Sequence, residues 1–317
     1  MRALVTGTAG FIGSTLTAAL LEGGAEVVGL DCFTDYYGRD VKEHNLAGLR
    51  RLPRFRFVED TLQRTDLDAL LDGVTHVFHL AAQAGVRKSW GDDFRTYTSH
   101  NVDATQRLLE AVKERPIERF VYASSSSVYG DNAPIPMVEE TYLQPVSPYG
   151  VTKLAAEHLC HLYFVNYGVP TVSLRYFTVY GPRQRPDMGF HRFIRAALTG
   201  TPITLYGDGG QTRDFTFVED IVAATRAAGD RGRPGAVYNI GGGSRVSITH
   251  VLELIGQLTG RTLDIVRHAP QKGDMRDTFA DTSRARADLG FAPTYSVESG
   301  LTAEVDWLAD QLAVPLR

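Results

Sequence analysis

Cysteine is almost missing from this chain: Cys32 and Cys160 are the only two in 317 residues, far apart in sequence and in no metal-ligand spacing. That excludes a disulfide scaffold and a thiolate metal site, and it suits a reducing compartment. Excess positive charge is missing too. The formal net charge is −4 and the pI about 6.1, so no global basic field recruits nucleic acid or an anionic membrane. Any anion binding must be local. No stretch approaches the roughly 18 apolar residues that a membrane span needs, and Met1 leads into "RALVTG" without the apolar core of a signal peptide. A cytoplasmic protein is expected, with neither membrane nor nucleic acid as partner. Internal repeats, low-complexity tracts and flexible linkers are also absent. His79, His100 and His191 show no metal spacing and read as packing or surface residues.

What is present is a globular composition, 43% hydrophobic and 22% charged, enough for one large unit or two intimate subdomains. Short apolar runs alternate with amphipathic segments through the first half. "RALVTG" (2 to 7), "EVVGLD" (26 to 31), "FRFVEDTL" (55 to 62), "HVFHLAA" (76 to 82), "RFVYASSSSV" (119 to 128) and "TVSLRYFTV" (171 to 179) read as strands, with helices such as 101 to 114 between them. This rhythm predicts an α/β fold, a Rossmann-type doubly wound parallel sheet covered on both faces. Beyond about residue 180 the chain turns richer in Gly, Pro and Arg, interrupted by a helix (214 to 228) and a strand (236 to 242) that rejoin the sheet. The expected division is 1–179 plus 214–242 as the dinucleotide domain, and 180–213 plus 243–317 as a smaller, discontinuous substrate lobe.

"TGTAGFIG" sets Gly7, Gly10 and Gly13 after a strand and at a helix start. Glycine there allows a tight turn, close approach of backbone to a pyrophosphate and close helix packing, while the helix N-terminus offers N–H groups to the anion. Asp31 closes the second strand about 20 residues on. A carboxylate there accepts hydrogen bonds from an adenosine ribose and repels a 2′-phosphate, which favours NAD over NADP. Asp60, after "FRFVE", is placed to read an adenine amino group or simply to face solvent. In "SPYGVTK", Tyr149 and Lys153 are four apart and share a helix face. A lysine ammonium beside a phenol lowers its pKa and makes it usable as a base. "YASSSSVYG" ends a strand at the sheet edge where open α/β sheets hold ligands.

In this order and spacing, Gly-x-x-Gly-x-x-Gly, "HLAA", "SSSSVYG", "YGVTK" and "RYFTVYGPRQRPDM" resemble the extended short-chain dehydrogenase/reductase family of nucleotide-sugar epimerases, dehydratases and decarboxylases, over essentially the whole chain. The resemblance implies that Ser125 is the catalytic hydroxyl, Tyr149 the base, Lys153 its pKa partner and ribose ligand, and bound NAD a transient hydride store. It also implies a cofactor lining of Phe11 and Ile12 beside the glycines, Leu62 after Asp60, Leu80, Ala81 and Ala82 of "HLAA", and Tyr176. Dehydratases of the family usually carry Thr-Asp-Glu before Val-Tyr-Gly; Ser125, Ser126 and Ser127 stand there instead, so dehydration falls. Thr178 and Arg185 make "RYFTVYGPRQRPDM" similar to UDP-glucuronic acid 4-epimerases. That likeness implies a substrate carboxylate held by Ser127, Thr178 and the Arg185 fork. Arg213 and Arg276 match positions that bind a diphosphate, with Arg192 and Arg87 as weaker candidates. Arg175 and Arg183 read as framework. Decarboxylation of UDP-glucuronate and epimerisation of a neutral UDP-hexose are the nearest alternatives, and a silent NAD-binding protein a remote one. A homodimer through helices at about 101 to 114 and 150 to 166 is implied as well.

Overall fold

The computed structural model describes residues 1–316 and gathers the apolar runs into one seven-stranded sheet. Its strands are β1 (Arg2–Thr6), β2 (Glu26–Asp31), β3 (Phe55–Glu59), β4 (His76–His79), β5 (Arg119–Ser125), β6 (Thr171–Tyr176) and the edge strand Val237–Ile240. Every neighbouring pair is parallel, and the order is β3-β2-β1-β4-β5-β6-edge. The chain winds outward from β1 to β3, then returns to place β4 on β1's other side. That reversal opens a crevice at the carboxyl ends of β1 and β4.

Alternation along β1 shows why both faces are covered. Ala3 and Val5 join one core with Leu16, Leu20, Phe78, Val121, Ile221 and Ala228; Leu4 joins the other with Val77, Leu108, Phe120, Ala156 and Cys160. The helices Phe11–Glu22 (α1) and Val218–Arg231 cover the first face, and Ala104–Val112 and Pro148–Tyr167 the second. Both cysteines are free. Among the described residues no helix is long and apolar enough to cross a membrane, and no group of His, Cys, Asp and Glu forms a metal site.

Elsewhere the chain builds smaller pieces over the carboxyl edge. Helices Gly189–Thr199, Ile248–Thr259 and Val297–Leu312 pack together, Ile203–Tyr206 pairs in parallel with Ile265–His268, and Thr212–Asp214 pairs with Arg245–Ser247. Several expected boundaries move. The helix expected over 214–228 begins only at Val218, because Thr212–Asp214 and Thr216–Phe217 are strands. The run read as one strand over 171–179 breaks after Tyr176, because Val179–Tyr180 leaves the sheet to pair with Thr216–Phe217. The helix expected from 101 begins at Phe94 and carries a π-helical stretch, Thr98–Asp103. There Asn101 trades hydrogen bonds with the backbone of Gln83 and donates to the Thr152 hydroxyl at 2.9 Å.

Candidate active site

The crevice is floored by the turn between β1 and α1. Gly7 has φ +75, and a Cβ on it would lie 2.9 Å from the Ala81 nitrogen; a Cβ on Gly13 would lie 2.1 Å from the Gly7 carbonyl oxygen. Only glycine lets the turn, α1 and β4 come this close. Gly10, the residue before α1, has no side chain with which to cap the first-turn N–H groups, so they remain available to an anion. Gly7, Gly10, Phe11, Ile12, Gly13, Asp31, Asp60, Leu62, Leu80, Ala81, Ala82, Tyr149, Lys153 and Tyr176 line this single cleft together. The bare N-terminus and the carboxylate beyond it suit a dinucleotide: pyrophosphate on the turn, ribose at Asp31. Asp31 already accepts from the Ala9 and Phe33 N–H groups at 3.1 and 2.9 Å, but a carboxylate has lone pairs to spare for hydroxyls. Sequence reading missed Lys42, whose Nζ lies 3.7 Å from Asp31, and Tyr36, Tyr37, Gln63, Gln83 and His100. Lys42 comes from the helix Arg39–Ala47, and no motif marks it.

The reacting centre is set by one helix. Ser147 accepts from the Gly150 N–H at 3.1 Å and Pro148 occupies the first turn, so Pro148–Tyr167 starts sharply, with Tyr149 in its first turn and Lys153 one turn on. Burial pushes the Tyr149 phenol upward, while a hydrogen bond with Ser125 and the charge of Arg185 draw it back. Burial pulls the Lys153 ammonium down to about 7, and its Nζ sits 4.5 Å from the centroid of the Tyr122 ring. Ser125 ends β5, and its hydroxyl accepts from the Ser127 N–H at 3.1 Å. His79 is a packing residue, held between the Thr6 and Thr105 hydroxyls and kept neutral by burial, its pKa pushed down to about 3.

On the substrate side, Arg185 lines the cleft with Tyr36 and Tyr149. Its fork, however, is not fully free. Nε and Nη2 donate to Oδ1 and Oδ2 of Asp187, both at 3.0 Å, which closes one of the two edges by which a guanidinium takes a carboxylate. Ser127 and Thr178 are half-buried, and among the described residues neither hydroxyl makes an internal hydrogen bond. Arg87, Arg213 and Arg276 converge on the segment 274–277 rather than on the cleft lining. Arg87 pairs with Asp274 at 2.7 Å and lies 4.4 Å over the Tyr206 ring. Arg213 donates to the carbonyls of Thr212, Met275 and Arg276, and the exposed Arg276 guanidinium is 3.6 Å from Asp208. Arg192 is exposed on Gly189–Thr199 and is not brought to this group. Arg175 is framework, as expected: buried, it grips Glu157 with Nε and Nη2 and donates to the Tyr129 hydroxyl. Arg183 is partly buried, with φ +70 and no hydrogen bond to its side chain among the described residues.

Comparison with known proteins agrees with this geometry. Residues 3–241 match the model of the NAD dependent epimerase/dehydratase family. The uncharacterized UDP-glucose epimerase YtcB of Bacillus subtilis (strain 168) is 46% identical over 313 residues, 98% of each chain. The UDP-glucuronate 4-epimerase of Thermodesulfobacterium geofontis (strain OPF15) is 37% identical over 316 residues, 98% of this chain and 96% of that one. The crystal structure of UDP-glucuronic acid 4-epimerase from Bacillus cereus in complex with UDP-glucuronic acid and NAD superposes with a TM-score of 0.95 at 44% identity, covering 98% of this chain and all of the other. With the glycine turn, Asp31, Tyr149 and Lys153 lining one crevice and Ser125 beside Tyr149, this chain belongs to the NAD dependent epimerase/dehydratase family.

Proposed function

We propose that this enzyme inverts C4 of UDP-glucuronate to give UDP-galacturonate. The observation that carries the substrate choice is Arg185, a guanidinium lining the cleft near enough to Tyr149 to act on its ionisation. A neutral sugar gives that cation nothing to hold. The free hydroxyls of Ser127 and Thr178 extend the same reading to a carboxylate flanked by donors. In this reading residues 1–179 plus 214–242 hold the cofactor, 180–213 plus 243–317 hold the nucleotide-sugar, and Arg213, Arg276, Arg87 and Arg192 are the candidates for the diphosphate.

When bound, NAD supplies a two-electron acceptor at C4 that returns the pair to the opposite face, so no external reductant is consumed. Tyr149 takes the O4 proton and later returns one, and Ser125 hydrogen-bonds both the phenol and O4. Lys153 holds the ribose. Lys153 is also the phenol's pKa partner, and Arg185 adds to it by lowering the cost of phenolate. Oxidation at C4 makes the C5 carboxylate β to a ketone, ready to leave as carbon dioxide. Loss requires the breaking bond to stand nearly perpendicular to the carbonyl plane and the carboxylate to shed its charge. Donors that hold it near that plane and stabilise its charge oppose both. The apolar outer face of Pro148–Tyr167 is read as the homodimer surface.

The test is direct. Incubation with UDP-glucuronate is expected to give UDP-galacturonate with no net growth of reduced-cofactor absorbance, and Tyr149→Phe to lower kcat by about 10²- to 10⁴-fold. Replacement of Thr178 or Arg185 is expected to leak pentose products. Xylose or 4-keto-pentose as the main wild-type product would replace this reading with decarboxylation. Turnover of UDP-glucose in preference to UDP-glucuronate would favour the neutral-sugar reading, which YtcB's name suggests for that relative.

A further inference from the structure

Arg185 and Asp187 sit two residues apart on a loop that is pinned on both sides. Upstream, the fully buried Glu304 accepts the Gly181 N–H at 2.8 Å. Gln184, also buried, donates to the Val179 carbonyl and accepts the His191 N–H, at 3.1 and 2.8 Å. Downstream, the Met188 N–H closes a turn onto the Arg185 carbonyl at 3.0 Å. Between these anchors Asp187 holds Arg185 side-on, through Nε and one N–H of Nη2. Asp187 itself is exposed and pairs with nothing else among the described residues.

A guanidinium has five N–H groups in a rigid fork. Side-on pairing uses two of them and leaves the end-on edge, made by Nη1 and the second N–H of Nη2, free for another carboxylate. A ligand carboxylate therefore has no need to displace Asp187. It shares the guanidinium with it, and two consequences follow. The shared cation attracts the ligand less than a bare one. And when the ligand lets go, the guanidinium is still paired rather than stranded in a partly buried site, so release costs less.

Release matters for the proposed reaction, because a keto sugar that must present its other face has to turn, and its carboxylate must leave its first contacts to do so. We propose that Asp187 is a positioning and specificity residue that keeps Arg185 charge-compensated, so that a substrate carboxylate is held loosely enough to be released and regrasped as the keto sugar turns. This rests on the reading of the substrate as UDP-glucuronate.

The experiment compares Asp187→Asn, Asp187→Glu and wild type as holoenzymes on UDP-glucuronate. For Asp187→Asn, KM is expected to fall about five-fold and kcat to fall with it by about ten-fold, as tighter holding slows the turn. The fraction of enzyme in the reduced-cofactor state during turnover, read by absorbance, is expected to rise. Asp187→Glu keeps the charge and is expected to lie near wild type. Calorimetry in a Tyr149→Phe background gives a reading free of turnover: Asp187→Asn should tighten UDP-glucuronate and leave UDP-glucose unchanged. A rise in KM for Asp187→Asn, unchanged kinetics, or a Glu variant that behaves like Asn would overturn the proposal. Wild type that does not turn over UDP-glucuronate at all would instead overturn the reading of the substrate, so the two failures are distinct.

Discussion

At the scale of single residues, Asp31 and Lys42 line the cleft 3.7 Å apart, and the proposed choice of cofactor rests on that pair. Asp31 is fixed by two backbone N–H groups, so its charge stays at the end of β2. There it repels a 2′-phosphate, but Lys42 at 3.7 Å, nearly buried and facing the same cleft, offsets part of that repulsion. Asp31→Asn should therefore do more than weaken NAD. With the carboxylate gone, Lys42 becomes an uncompensated cation beside the ribose, and the ratio of NADP to NAD affinity should rise by about 10- to 100-fold, read as two dissociation constants on cofactor-stripped protein. A ratio that stays put would mean that discrimination lies elsewhere. The same pair shows what sequence makes legible. Asp31 was found because its distance from the glycine triplet is set by a strand and a helix of standard length, whereas Lys42 arrives from a helix whose docking no local pattern encodes. Tyr149 and Lys153 were found by the four-residue step of a helix. Spacing says nothing of burial, which pushes the Tyr149 phenol up and the Lys153 ammonium down.

At the scale of elements, the Val297–Leu312 helix reaches the active-site loop through Glu304, whose Oε2 accepts the Gly181 N–H while Oε1 is buried without a partner. Burial pushes this carboxyl well above the usual carboxylate range, with the Gly181 N–H drawing it partly back. A raised folded-state pKa contributes stability that is fully present below the ordinary carboxylate value near 4.5 and is lost as pH rises through the folded value. Glu304→Gln keeps the acceptor for Gly181 and never ionises. Its stability should thus match wild type near pH 4.5 and exceed it increasingly as pH rises above that, by at most about 1.4 kcal/mol per pH unit, read from melting curves at a series of pH values. Parallel melting curves would show that Glu304 ionises freely. Elements differ in how far sequence discloses them. The sheet strands were readable because each is a buried apolar run bounded by turn residues. The pairing of Ile203–Tyr206 with Ile265–His268 was not, since four-residue strands sixty positions apart leave no periodicity to detect. The helix start at Phe94 was missed because Trp90, Gly91 and two aspartates precede it, a sequence that reads as a turn.

At the scale of the whole molecule, the Pro148–Tyr167 helix has two jobs on two faces. Its inner face carries Tyr149 and Lys153 into the cleft, while its outer face exposes Val151 (47%), Leu162 (49%) and Val165 (62%). Positions 151, 162 and 165 fall on one side of a helix. The neighbouring Ala104–Val112 helix is tied to it by Gln106, which donates to the Tyr163 hydroxyl at 3.1 Å, and by Lys113, whose Nζ lies 5.1 Å from the centroid of the Tyr167 ring. In the proposed homodimer this face meets its twofold copy in a four-helix contact. The helix that would make that contact also carries Tyr149 and Lys153 into the cleft, so in this proposal assembly and catalysis are coupled through one rigid element. Paired substitution Leu162→Glu and Val165→Glu places charges on the outer face without touching the inner one. Light scattering should then show the dimer replaced by monomer, and kcat should fall by several-fold while the far-UV circular dichroism is unchanged. A wild-type monomer would remove the dimer from this picture, and a monomeric variant with undiminished kcat would show that the helix holds its catalytic face without a partner.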